Sequence, residues 1–381
     1  MTGARKPPID PLTGPTTILE GRIVTMDAAN TVIPSGRVYM KAGILTAVQS
    51  ADAPEPAGFS GVSVTRTRGT LYPGLIELHN HLSYNALRLW AVPKKFSNRD
   101  QWGGIAEYRQ RVSGPMTIIG ETPELLPALV RYVEAKCLLA GVTASQGIAL
   151  FSNAGVRRFY RGIVRNVEAT DEAALPEAAT RIADVDMQSA SRFLERLKKG
   201  NCFTAKEADM GLVVINGVPR FGTPALFSAL KVSGETVKIG SASRRLFLTQ
   251  DTQDPQVGKI SLSHAAEALR AALKKLPALA IKLEKPKALM RGPSRDGAPV
   301  WRLALDEIAD TGVSVRPRLP LGHRHTGARA LAGAGTLPLS QIVQPLVLDP
   351  LSVAGDAEFL PSIRAQRNLP PWLAEELVSL Y

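Results

Sequence analysis

Only two of the 381 residues are cysteine, Cys137 and Cys202, and only five are histidine. Two cysteines can build neither a disulfide framework nor an all-cysteine zinc site, so a reducing, cytoplasmic setting is expected. Aromatic residues make up 6%. No stretch approaches the ~18 uninterrupted apolar residues of a membrane span, so no membrane partner is expected. Met1 to Thr17 carries Arg5 and Lys6 but no apolar run follows, so no secretory leader is expected. With 45% hydrophobic and 21% charged residues, wholesale disorder, collagen-like sequence and a coiled coil are excluded. At about 150 residues per domain the chain has room for two or three domains.

Positive charge is abundant: 46 Lys and Arg against 34 Asp and Glu, a formal net charge of +12. Most of the excess lies between Lys231 and Ala330, with 18 basic and 9 acidic residues. Such a block can be a footprint for nucleic acid. Here no interleaved aromatics and no nucleic-acid motif accompany it, so it reads as a solvated basic surface.

The patterning divides the chain into four. Residues 1–70 hold short strands: TTILEGRIVTM ends at Met26, GRVYMKAGILTAVQ folds around Lys41-Ala42-Gly43, and VSVTRTR runs from Val62 to Arg68. Residues 71–205 alternate strand and helix. Leu75–Leu78 is a strand opened by Pro73-Gly74, a helix spans Pro123–Ala140, strands follow at Gly141–Ser145 and Phe159–Arg165, and Ala173–Leu197 is helical. That alternation implies a parallel sheet or barrel. Residues 206–280 return to β-structure. MGLVVINGVPRFG is a hairpin turning at Asn216-Gly217, ETVKIGSASRRLFLTQ adds two strands, and Ser263 caps a helix to Leu276. Residues 281–381 are a Pro/Gly/Arg-rich linker and a packing tail.

The residues that carry chemistry are His79 and His81. Two apart on a strand, they face one side, and at the C-terminal end of a barrel's first strand they point into its mouth. Two neutral imidazoles at this spacing can grip a divalent metal.

The segment TRGTLYPGLIELHNHLSYN resembles the first barrel strand of the amidohydrolase superfamily, the metal-dependent hydrolases of C–N bonds. The N-terminal strands resemble that family's β-sandwich, and MGLVVINGVPRFG resembles the stretch where its chain re-enters that sandwich. The resemblance covers roughly residues 16–250. It implies an α/β fold: a partial (β/α) barrel-like parallel sheet plus a small β-sandwich formed by residues 16–70 and 207–250. It also implies a site, usually zinc, that activates water against an amide, amidine or ring C–N bond. His79 and His81 match the first two metal ligands. Glu77 matches an acidic position just before them that touches the ligands rather than the metal.

The sequence departs from the family beyond this point. Members carry further histidines at the ends of the fifth and sixth strands and an aspartate at the eighth. A full barrel takes about 250 residues, yet 125 positions separate His81 from Lys206, and no His occurs between His81 and His264. We read the chain as an internally deleted member lacking about half the barrel, with any zinc weakly held.

Other candidates have plainer readings. His323 and His325 lie in a basic loop, and His264 sits at a helix end. Asp184 and Asp186 cap a helix, Asp209 is a solvated loop residue, and Cys137 and Cys202 are buried small apolar residues. Three functions therefore stand at this point. The first is a metal-dependent hydrolase acting on a small-molecule C–N bond, the second a non-catalytic remnant or binding protein, and the third and weakest a nucleic-acid binder using the basic block Lys231–Ala330. A parallel sheet cut from a barrel leaves open edges, so self-association or marginal stability is expected.

Overall fold

The computed structural model describes residues 14–29, 31–77, 80–96, 100–103, 105–145, 163–166, 206–250, 258–284, 337–369 and 371–380. It is a mixed α/β structure with three sheets among these residues. The first joins β1 (Thr17–Val24), β2 (Val32–Lys41), β3 (Ile44–Ser50) and β4 (Val64–Leu71) in the order β3-β2-β1-β4. The second is parallel and consists of β5 (Leu75–Glu77), β6 (Val142–Ser145) and β7 (Arg165–Asn166). The third has the order β10-β11-β9-β8, from β8 (Leu212–Ile215), β9 (Val218–Gly222), β10 (Glu235–Ile239) and β11 (Ala242–Leu246).

Local chemistry explains the two tight hairpins. Asn216 and Gly217 have φ of 55° and 70°, and Ala42 and Gly43 have φ of 50° and 78°. Positive φ at both central residues is the primed turn that matches strand twist, and Asn-Gly adopts it with little strain. Residues 14–71 and 207–250 hydrogen-bond only within themselves as sheets. They meet where the Gly14 N–H donates to the Asn216 carbonyl at 2.8 Å. Their buried side chains divide between two clusters. Ile18, Tyr39 and Phe59 form a small one. Phe221, Ile239 and Leu246 belong to the main core.

That core is organised by α1 (Leu126–Leu139), in which every residue except Lys136 is buried. A helix covered all round is a core helix. It packs against α2 (Leu262–Lys274), whose Leu262, Ala265, Ala266, Leu269, Ala272 and Leu273 form one buried stripe. The cap of α2 is Ser261, whose Oγ accepts the His264 N–H at 3.2 Å. The expected cap, Ser263, lies inside the first turn. A further helix, α3 (Leu276–Glu284), follows at once. The tail is not only loop: α4 (Phe359–Arg364) and α5 (Pro371–Leu380) form there. The strand expected at Phe159–Arg165 is described only from Ile163, and the helix expected at Ala173–Leu197 lies outside the described residues, as does most of the Pro286–Pro338 stretch.

Gly74 is fixed by a close approach rather than by its dihedral angles. A Cβ there would lie 2.1 Å from Thr143 Oγ1 and 2.8 Å from Thr143 Cβ. The chain can enter β5 beside β6 only because that atom is absent. We expect Gly74→Val to cost about 1–3 kcal/mol through overpacking; a thermal melt unchanged from wild type would refute this.

β5 does not have the burial expected of a parallel strand covered on both faces. Leu75 is 39% and Ile76 58% exposed. The reason is topological: β5 lies at the edge of its sheet and pairs only with β6 among the described strands.

Candidate functional site

The C-terminal edge of the parallel sheet carries a row of polar residues. Glu77 at the end of β5 is in register with Ser145 at the end of β6, and Ser145 with Asn166 at the end of β7. In open α/β sheets this is the edge where ligands are bound. The chain leaves β5 at Glu77 and reaches His81 four residues later. His79 lies outside the described residues.

His81 is not on the strand. It has φ −77° and ψ 82° and stands at the start of a 3-10 turn, Leu82–Ala86. Its carbonyl accepts the Tyr84 N–H at 2.9 Å, and its ring meets Tyr84 edge-on with centroids 6.0 Å apart. Strand alternation therefore stops short of the second histidine, because the backbone has already turned. Ser145 is fully buried and Ser83 is 2% exposed. Neither hydroxyl has a hydrogen-bond partner among the described residues.

The donor chemistry does not make a complete metal site. Among the described residues no group of three or more His, Cys, Asp or Glu could hold a metal ion. They supply one imidazole, His81, and one carboxylate, Glu77. His264 is exposed at the start of α2, and Asp209 is exposed and accepts the Lys206 N–H at 2.8 Å. His323, His325, Asp184, Asp186 and Cys202 lie outside the described residues. Cys137 is buried as expected. Burial first, then the nearby negative charges of Glu134 and Glu77, push its thiol up to about 12.

The reading of the sequence missed two charged groups. The first is a pair inside α1, in which Arg131 Nη1 donates to Glu134 Oε2 at 2.6 Å with both side chains at most 1% exposed. Burial drives the Glu134 carboxyl above its usual range, while Arg131 and the Val164 N–H pull it back. Arg and Glu three apart within a mostly apolar helix was the available signal. The second is a cleft of about 200 Å³ lined by Arg88, Lys136, Glu207, Asp349 and Asp356. Four of these charges pair: Arg88 donates twice to Asp356 and Lys136 donates to Asp349. Nothing local marks these residues, which come together from distant parts of the chain.

Glu207 accepts the Val353 N–H at 3.0 Å and the Ala354 N–H at 3.3 Å. Burial raises its carboxyl above the ordinary value, and these N–H groups oppose the shift. A folded-state value above the unfolded one gives stability that is present below the unfolded value and lost as pH rises through the folded one. Glu207→Gln, with no charge to bury, is expected to gain on wild type as pH rises from about 4 to about 7. Melts across that range that run parallel would contradict it.

No family model matches the sequence. No curated protein matches it either. Solved structures with partial likeness include a guanine deaminase from C. acetobutylicum, at 13% identity and TM-score 0.30, covering 38% of this chain and 32% of that one. Another is the atrazine chlorohydrolase TrzN from Arthrobacter aurescens TC1 complexed with zinc, at 18% identity and TM-score 0.29, with coverages of 38% and 32%. A third is an adenosine deaminase from xanthomonas campestris with bound zinc, at 17% identity and TM-score 0.27, covering 39% and 32%. The chain thus spans about a third of the length of each, and likeness of this size carries no argument about its chemistry.

Proposed function

We propose that the chain is an amidohydrolase-type protein whose His79 and His81 bind a divalent metal, zinc being the usual one, in support of hydrolysis of a non-peptide C–N bond in a small molecule. One observation carries the reading. The His-Asn-His motif directly follows β5, and β5 is hydrogen-bonded parallel to β6 with Glu77 opposite Ser145. Glu77 and Ser145 stand at the sheet edge where α/β proteins bind ligands. In that role the metal would lower the pKa of a bound water. Glu77 and Ser145 would orient the ligand end of the site, and the buried Ser83 and Ser145 hydroxyls would supply polar partners.

A second reading is a non-catalytic, metal-binding derivative. It is favoured by the sequence itself, which has no His between His81 and His264, where catalytic zinc sites use three protein ligands. Metal analysis of the purified full chain, beside the His79→Ala/His81→Ala double variant, tests both. Zinc in the wild type and its loss in the variant are expected. C–N hydrolysis by the zinc-loaded chain selects the first reading, and zinc without turnover of deaminase-type substrates selects the second. Equal metal content in both proteins would refute the site.

A further inference from the structure

We infer that the C-terminal segment Leu346–Arg367 is a strap that positions the loop carrying His81, with Asp349 and Gln366 as its positioning residues; the inference rests on the proposed role of His81 as a ligand. The loop 81–92 has little structure of its own beyond the 3-10 turn Leu82–Ala86. A segment with so few internal hydrogen bonds must satisfy its backbone elsewhere, and here it does so on the strap.

The contacts run the length of the loop. Leu87 and Leu348 form an antiparallel bridge, and the Asp349 N–H donates to the Ala86 carbonyl at 3.1 Å. The Val92 N–H donates to Gln366 Oε1 at 3.1 Å, and Gln366 Nε2 donates to the Trp90 carbonyl at 3.0 Å. One amide side chain thus holds both a donor and an acceptor of the loop. Between them, Arg88 Nη1 reaches both carboxylate oxygens of Asp356, at 3.0 and 2.9 Å.

The strap is itself anchored to the core. The Leu346 N–H donates to the Leu273 carbonyl at 3.0 Å. Tyr132, from the middle of α1, donates its hydroxyl to the Asp349 carbonyl. Lys136 donates to the Asp349 carboxylate and also to the Asn85 carbonyl, the latter at 2.9 Å. Lys136 therefore ties loop, strap and core helix at one point. Leu348, next to Asp349 in the strap, is buried. His81 bonds through its carbonyl to Tyr84, one residue before Asn85, so its backbone is continuous with the strapped turn.

Linkage makes the relation reciprocal: whatever the strap contributes to ligand affinity at His81, the ligand contributes to strap docking. The test uses the full chain as wild type, Gln366→Ala and Asp349→Ala, with zinc chloride as the probe. Amide hydrogen exchange is read at residues 81–92, 346–367 and 126–139. We expect both variants to speed exchange about tenfold at 81–92 and leave 126–139 protected. We expect zinc to slow exchange at 346–367 in wild type. We expect zinc affinity, read by competition with a chromophoric chelator, to fall about tenfold in Gln366→Ala, as for other residues that hold a ligand in place. Should Asp349→Ala not fold, Gln366→Ala at the end of the strap keeps the test alive. Unchanged exchange at 81–92 in the variants overturns the strap. Faster exchange with unchanged zinc affinity overturns its positioning role. Faster exchange in a chain whose wild type binds no zinc upholds the strap as a holder of the loop and removes the metal reading instead.

Discussion

Arg131→Ala is expected to cost the fold about 3–5 kcal/mol, the usual loss when one partner of a buried ion pair is removed. Arg131 is 0% and Glu134 1% exposed, so neither charge can turn to water. The guanidinium also donates to Gln250, and Glu134 Oε1 accepts the Val164 N–H at 3.2 Å. The pair thus links α1 to the residue before β7 and to the chain after β11. Without Arg131, a carboxylate already pushed up by burial loses the cation that pulls it back. Its folded value then rises further above the unfolded one, so the variant should be weakest at high pH and recover as pH falls through that folded value. At about 2–4 °C per kcal/mol the melting temperature should drop by roughly 10 °C at neutral pH. The double variant Arg131→Met/Glu134→Leu should regain much of this, since an apolar replacement removes both charges, although the Val164 N–H stays unsatisfied. A neutral-pH loss below 1 kcal/mol for the single variant would show that the pair is more hydrated than its burial indicates.

Phe59→Ala should unfold the first sheet and leave the main core standing. Phe59 is fully buried and meets Tyr39 edge-on, with centroids 5.1 Å apart and planes at 81°. Its cluster has only Ile18 and Tyr39 as other fully buried members. Truncating a buried Phe typically costs about 3–5 kcal/mol, and a core this small has nothing with which to close the cavity. The main core contains α1, α2 and the third sheet and does not include these residues. Hydrogen exchange should therefore accelerate throughout residues 17–71 and stay slow in 126–139 and 262–274. Uniform acceleration across the chain, in a single cooperative transition, would mean that the two cores fold as one.

Some features were legible because their causes are local. Asn216-Gly217 and Ala42-Gly43 form their turns because those residues tolerate positive φ where strand twist demands it. Short β-branched runs gave β1, β4 and β8, and the apolar period between Pro123 and Ala140 gave α1. The cap of α2 slipped by two positions because Ser261 and Ser263 have the same chemistry, and only the backbone at the helix start distinguishes them. His81 was placed on a strand because its spacing from His79 fits one. The strand ends at Glu77, and nothing in the spacing reports where a chain turns.

The sequence by itself determined the elements with nearby causes: the hairpins, the core helix, the Pro-Gly opening of β5 and the His-Asn-His motif after it. Only the tertiary structure decided what those elements meet. The end of the chain reads as a packing tail, and the structure shows which residues it packs on: Leu346–Arg367 carries the partners of Ala86, Arg88, Trp90 and Val92. Arg131, within an apolar stretch of α1, is buried and donates to Gln250. The physical reason is separation: Arg88 and Asp356 are 268 positions apart, and Arg131 and Gln250 are 119 apart. A hydrogen bond over such a distance depends on where the core places both ends, and no local pattern of residues encodes that.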